Sequence, residues 1–141
     1  MASLAAQRFL PRLVVTTAVL LATTAGVVAS AADWPEFRAD VTNSGVNPAE
    51  NAIGPSTVGS LAPVWAAPTG DQVSSSPAVA NGTVYVGSDD TRLYAMNAAT
   101  GQILWSTITG GSVRSSPAVA NGTVYVGSDD TRLYAMNAAT G

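Results

Sequence analysis

The sequence predicts an all-β fold, built as β-propeller blades of four antiparallel strands, on three observations. Residues 73–101 (VSSSPAVANGTVYVGSDDTRLYAMNAATG) recur as residues 113–141 at an offset of 40, with Ser74 against Arg114 as the single mismatch. Inside each copy, short apolar runs alternate with turn signals at regular spacing. The runs are apolar on both faces, so each sheet needs a cover on either side. Units of about 40 residues with several short strands match the period of propeller blades.

The strands of one unit follow from its punctuation. Residues 77–80 form the first strand. Asn81-Gly82 closes the hairpin, because a type I′ turn demands positive φ at both central positions and this dipeptide tolerates it. Residues 83–87 form the second strand, and Ser88-Asp89-Asp90-Thr91 the next turn. Residues 92–96 form the third strand. The wider turn at residues 97–101 ends on Gly101, which is available for a left-handed conformation. Residues 102–107 form the fourth strand and carry Trp105. In the second copy, Asn121, Gly122, Asp129, Asp130 and Gly141 take the same turn positions.

The phase extends backwards. Trp65 and Trp105 stand one repeat apart, each at the same spacing ahead of a proline, Pro77 or Pro117. The repeat region therefore runs over residues 61–141, with a full blade over about 73–107 and a partial blade over about 113–141. Residues 83–86 (TVYV) and 93–96 (LYAM) do not alternate polar with apolar. A sheet with one wet face alternates; a sheet held between two others does not. Stacked blades satisfy this. A β-sandwich is the runner-up, but it gives no reason for a fixed period.

Two segments precede the repeats. Arg8 and Arg12 form a basic start, residues 13–28 are a mostly apolar run, and Ala29-Ser30-Ala31 supplies small residues at a cleavage site. Residues 1–31 thus read as a Sec-type signal peptide cleaved before Ala32, giving a secreted or extracytoplasmic, bacterial-like protein. The alternative, a membrane anchor, needs about 20 apolar residues and finds fewer. Residues 32–60 read as an extended lead-in rich in Asn, Pro, Gly and Ser, with one strand near residues 34–38.

Charge and composition exclude several functions. The chain has six arginines, no lysine and nine acids; without Arg8 and Arg12 the balance is near −5. Nucleic-acid binding needs clustered cations, which are missing. With no cysteine there is no disulfide and no thiol to carry a lipid. With neither His nor Cys, Ser-His-Asp and Cys-His nucleophiles are impossible and zinc loses its preferred ligands.

The paired acids Asp89-Asp90 and Asp129-Asp130 are the strongest candidates for chemistry, since paired carboxylates bind calcium or move protons. Each pair sits in a turn signal and recurs with the unit. A turn role, capping local N–H groups and facing water, is therefore the better reading. Arg92 and Arg132 are expected to pair with these aspartates or cap an edge. The mismatch at Arg114 reads as drift, or as a position facing a partner. No catalytic or metal-binding residue is predicted.

The unit SSPAVANGTVYVGSDD, followed by RLYAMNAATG and a strand ending in Trp, resembles the pyrroloquinoline-quinone (PQQ) repeat. That repeat forms the blades of quinoprotein dehydrogenases and of PQQ-like propeller proteins such as the outer-membrane barrel-assembly propeller. The lead-in segment Trp34-Pro35-Glu36-Phe37-Arg38, with Asn43-Ser44-Gly45 beyond, is similar to the segment before the first blade in secreted members. The resemblance implies that Trp65 and Trp105 pack against the neighbouring blade. One departure is Thr91 and Thr131, where the family usually has Gly. A β-branched residue resists positive φ, so a left-handed residue is expected at an aspartate instead, or a type I turn.

Two functions follow as expectations. The first is a non-catalytic secreted propeller module, a scaffold or binding surface for a protein or polysaccharide ligand, with no cofactor. The alternative is the N-terminal fragment of a PQQ-dependent alcohol or sugar dehydrogenase, which the resemblance would furnish with PQQ and calcium. About two blades are present where propellers have four to eight. The expected partners are therefore further blades of the same protein or other copies of this chain. A fragment is the favoured reading of the two.

Overall fold

The computed structural model describes residues 33–38, 42, 44–47 and 53–141. The expected signal peptide and parts of the lead-in lie outside the described residues. A short 3-10 turn, Val58–Ser60, precedes seven strands: β1 Ala78–Ala80, β2 Thr83–Gly87, β3 Arg92–Asn97, β4 Ile103–Ile108, β5 Ala118–Ala120, β6 Thr123–Ser128 and β7 Arg132–Asn137. They form a four-stranded sheet in the order β1-β2-β3-β4 and a three-stranded sheet β5-β6-β7, antiparallel throughout. These are one complete and one three-stranded propeller blade.

Register sorts the side chains. Ala78 pairs with Tyr85, Tyr85 with Ala95, and Ala95 with Trp105, so one row crosses all four strands and shares a face. Beyond Trp105 the register slips, Met96 pairing with Ile103, so Leu104 is an extra residue in β4. Tyr85, Leu93, Ala95 and Trp105 pack on Val124, Val126, Tyr134 and Met136 of the second sheet, with Val113 buried between. The opposite face of the first sheet, carrying Val86, Tyr94 and Met96, is covered by Trp65 and Ala67. Strands β2 and β3 of the first sheet are therefore covered on both faces, which a two-sheet sandwich does not produce.

The second sheet has the same residues and only one neighbour. Tyr85 is 4 % exposed and its counterpart Tyr125 41 %; Leu93 is 0 % exposed and Leu133 75 %. Identical side chains are thus core in one unit and surface in the other, and the neighbouring sheet accounts for the difference.

The lead-in departs from expectation. Residues 34–38 are not a strand: Trp34 alone pairs with Val79, through two backbone bonds of 2.7 and 2.6 Å, and the chain then turns at Phe37 and Arg38. The next carbonyl, that of Pro35, accepts from the Val119 N–H at 2.8 Å, so the lead-in reaches from β1 to β5. Pro35 has no N–H to offer a ladder, which limits the pairing to a single bridge.

The exposure contrast gives an internal control. Leu93→Ala should lower unfolding free energy by about 2–5 kcal/mol, and Leu133→Ala by less than about 0.5 kcal/mol. Denaturant midpoints of the two variants check this, and equal losses would refute the stacking described.

Candidate functional site

Each unit presents one acidic turn, and its two aspartates point to different partners. Asp90 Oδ2 accepts from the Gly70 N–H at 2.7 Å and from the Tyr94 hydroxyl at 2.6 Å, while Oδ1 accepts from the Arg92 N–H at 3.0 Å. Ser88 Oγ accepts from the Asp90 N–H at 3.3 Å and donates to the Asp71 carbonyl at 3.2 Å. Asp130 repeats the arrangement with Gly110 at 3.0 Å, Tyr134 at 2.5 Å and the Arg132 N–H at 3.1 Å. The second aspartates are therefore not merely solvated caps. They tie each turn to the loop that enters the sheet, because that loop's glycine N–H has no strand partner. A Cβ on Gly70 would lie 2.6 Å from Asp90 Oδ2, so only glycine admits the carboxylate there.

The arginines divide. Arg132 Nη1 lies 3.3 Å from Asp130 Oδ2. Arg92 instead donates Nη1 to the Ser106 hydroxyl on β4 at 3.2 Å, a strand with no counterpart in the three-stranded second sheet. Arg114 is neither drift nor idle. It donates Nε and Nη2 to Asp89 Oδ1 and Oδ2 at 3.0 and 3.2 Å, and Nη1 to Asp129 Oδ2 at 3.0 Å. One guanidinium thus joins the first turn aspartates of both units.

Thr91 overturns the expectation drawn from its branching. It stands at φ 74° and Thr131 at φ 70°, so threonine itself takes the left-handed conformation. The shared cause is local: in each turn the aspartate before the threonine accepts the N–H of the arginine after it, Arg92 to Asp90 Oδ1 at 3.0 Å and Arg132 to Asp130 Oδ1 at 3.1 Å, and at Thr91 the carbonyl also accepts the N–H and the hydroxyl of Thr109, at 2.7 and 3.0 Å. Surroundings that over-determine a residue in this way hold the strain in place.

The remaining turns stand as follows. Asn81 and Gly82 have φ 51° and 72°, and Asn121 and Gly122 have φ 50° and 74°. Gly101 has φ 72° and Gly141 φ 88°. Trp65 Nε1 donates to the Ala98 carbonyl at 2.9 Å, and Trp105 Nε1 to the Ala138 carbonyl at 3.1 Å. A Cβ on Gly101 would lie 2.7 Å from the Trp65 ring, so the indole lies against bare backbone. Each tryptophan therefore docks on the wide turn of the following unit. Trp105 also meets Tyr85, with centroids 6.0 Å apart and planes tilted by 49°.

Sequence reasoning missed Gly70, Gly110 and the hydroxyls of Tyr94 and Tyr134, which it assigns to apolar core. The signal was present: Thr69-Gly70 and Thr109-Gly110 recur at the same offset of 40 as the aspartates.

The electrostatics fit a lock rather than a reactive group. Burial pushes the Asp90 carboxyl up, but hydrogen bonds from Tyr94, Gly70, Arg92 and Ser88 together hold it below the ordinary 3.8. Burial and then the Asp90 bond push Tyr94 up. The Tyr134 bond leads the causes that lower Asp130. Acid catalysis needs the opposite, a raised carboxyl. Among the described residues no group of three or more His, Cys, Asp or Glu could hold a metal ion, and no buried side-chain polar atom lacks a partner. A cleft of about 430 Å³ lies between the lead-in and β1, lined by Trp34, Phe37, Arg38, Ser76, Pro77 and Val79, away from the acidic turns.

A four-stranded and a three-stranded sheet thus stack as blades of a β-propeller, with a tryptophan docked on the turn glycine of the following unit. The family model described as outer membrane protein assembly factor BamB matches residues 56–141, and the chain belongs to that family. Two solved structures are similar over part of their length. BamB from Moraxella catarrhalis is 16 % identical, over 50 % of this chain and 23 % of that one, with a TM-score of 0.47. A quinohemoprotein alcohol dehydrogenase, ADHIIG from Pseudomonas putida HK5, is 35 % identical, over 46 % of this chain and 11 % of that one, with a TM-score of 0.44. The chain spans less than a quarter of either protein. No curated protein matches the chain. Among the described residues no helix is long and apolar enough to cross a membrane.

Two outcomes are expected. Thr91→Gly removes a left-handed penalty of about 1–2 kcal/mol and adds back about 0.5–1 kcal/mol of chain entropy, so a net gain of about 0.5–1 kcal/mol should appear in thermal melts; a lower melting temperature contradicts the strain. The second concerns acid. A carboxyl held lower in the fold than in the open chain stabilises fully above the ordinary carboxylate value, and that contribution is lost as pH falls through the folded value. Stability should therefore drop below about pH 4, and Tyr94→Phe with Tyr134→Phe should flatten the drop, as read from denaturant midpoints across pH.

Proposed function

We propose that this chain contributes blades to a non-catalytic β-propeller that works outside the cytoplasm as a binding scaffold for a protein or polysaccharide ligand. One observation carries the reading. The carboxylates that recur in the acidic turns are committed to backbone N–H groups, tyrosine hydroxyls and Arg114, so they hold blades together instead of facing a substrate. The family description, an outer membrane assembly factor, agrees with a role in holding partners. Residues 1–31 supply the export step under this reading.

The described residues do not fit a calcium-bound quinone. Asp89, Asp90, Asp129 and Asp130 already have donors, and no three acids gather on one point.

The test is addition of PQQ and calcium to the exported chain, whose first residue should be Ala32. Quinone uptake is followed by absorbance and activity by dye-linked oxidation of alcohols and sugars. The expected result is neither uptake nor dye reduction. Saturable uptake with dye reduction would replace the scaffold with a dehydrogenase.

A further inference from the structure

Two units alike at all but one aligned position create a problem of order. The apolar faces that dock a unit on its neighbour are spelled the same way in both, so apolar packing alone does not distinguish a preceding unit from a following one. The single difference, Ser74 against Arg114, falls at the junction. Arg114 belongs to the following unit and grips Asp89 of the preceding one through two parallel bonds of 3.0 and 3.2 Å. Its third bond, 3.0 Å to Asp129 Oδ2, anchors the same guanidinium to its own turn. Ser74 carries no cation and cannot make such a grip.

We propose that Arg114 sets the order of the units: an arginine on the following unit, gripping the first turn aspartate of the preceding one, selects which copy docks there. An isolated exposed ion pair contributes little, but here the Asp89 side chain is only 12 % exposed and the planar guanidinium meets both of its oxygens. A following unit with serine at this position leaves that carboxylate without its cation. Selection then comes from the penalty on the wrong unit as much as from the bond in the right one.

The same rule assigns an occupant to the outer face of the second sheet. Tyr125 and Leu133 repeat the buried pair Tyr85 and Leu93 but are 41 % and 75 % exposed, and beside them the Asp129 side chain is 50 % exposed. In the first sheet this face is covered by Val124, Val126, Tyr134 and Met136. The partner that fits is therefore a unit of this repeat with arginine at the place of Arg114. A second copy of this chain does not fit, because its arginine-bearing unit is already docked and its other unit carries Ser74. The inference stands whether the complete ring is a scaffold or an enzyme.

The test has two parts. In the full chain, Arg114→Ser and Asp89→Asn should each lower the denaturant midpoint. The double variant should fall no further than Arg114→Ser alone, and high salt should shrink the losses. Additive losses in the double variant would overturn the pairing. The order rule is read in the chain extended by a second copy of residues 102–141, carrying either arginine or serine at that copy's equivalent of Arg114. Amide exchange over residues 123–137 should slow about tenfold more with arginine than with serine, and Asp129→Asn should erase that difference. Equal protection in the two versions, or a difference that survives Asp129→Asn, overturns the proposal.

Discussion

Each sheet of this protein is apolar on both faces, and it becomes dry only between two neighbours. The rest of the structure depends on that constraint. It explains why TVYV and LYAM do not alternate, why Trp65 and Trp105 each lie across the following sheet, and why Leu93 is fully buried while its copy in the next unit, Leu133, is 75 % exposed. A side chain's environment here is set by position in the stack and not by its own sequence neighbours. A buried leucine contributes a few kcal/mol only once its cover is in place, so the stability of any unit is partly a property of the unit beside it.

Apolar stacking alone would let two flat faces slide. The polar contacts at the junction prevent it. The Asp90 carboxylate reaches from a turn to the Gly70 N–H of the entering loop, and it also accepts from the hydroxyl of the buried Tyr94, which would otherwise be withdrawn from water without a partner. The Trp65 indole closes the other end on the Ala98 carbonyl. Ser75 Oγ both accepts from the Gly87 N–H at 2.8 Å and donates to its carbonyl at 3.0 Å, satisfying the last residue of β2 where the ladder stops. The left-handed threonines fit the same picture. Thr91 and Thr131 both stay strained, at a penalty of about 1–2 kcal/mol, because each lies inside a turn closed by an aspartate carboxylate, and the Thr91 carbonyl is then free to take two hydrogen bonds from Thr109 of the next entering loop.

Strand positions were legible because they rest on short-range rules. Periodic apolar runs, Asn-Gly hairpins and a fixed repeat place every strand of the first sheet to within one residue of its observed ends. What was not legible depends on which groups meet across a junction. Nothing local to Asp90 shows that its partner is Gly70 in the entering loop, and nothing local to Thr91 shows that its carbonyl is claimed by the next loop. The general rule that branched residues avoid positive φ was sound, and the hydrogen bonds that close each acidic turn overrode it. The reading of Arg114 as drift failed for a related reason. A lone mismatch between repeats carries no meaning until the fold places it between two carboxylates. The strand expected in the lead-in failed because Pro35 follows the one residue that pairs.

Repetition also limits where recognition can reside. A site made only from repeated residues would recur at every junction, and the repeated polar groups are already engaged in holding junctions together. What distinguishes this chain is therefore its unrepeated part. The lead-in is unrepeated and crosses from Val79 of the first sheet to Val119 of the second, so it reads the spacing of two blades at once. It brings Trp34, Phe37 and Arg38 to a cleft against Pro77 and Val79, where aromatic faces, a cation and a β-strand edge converge. Two nearly identical sheets supply a rigid frame of defined spacing. Individuality enters through the strap laid across that frame and through the single arginine that tells one sheet from the other.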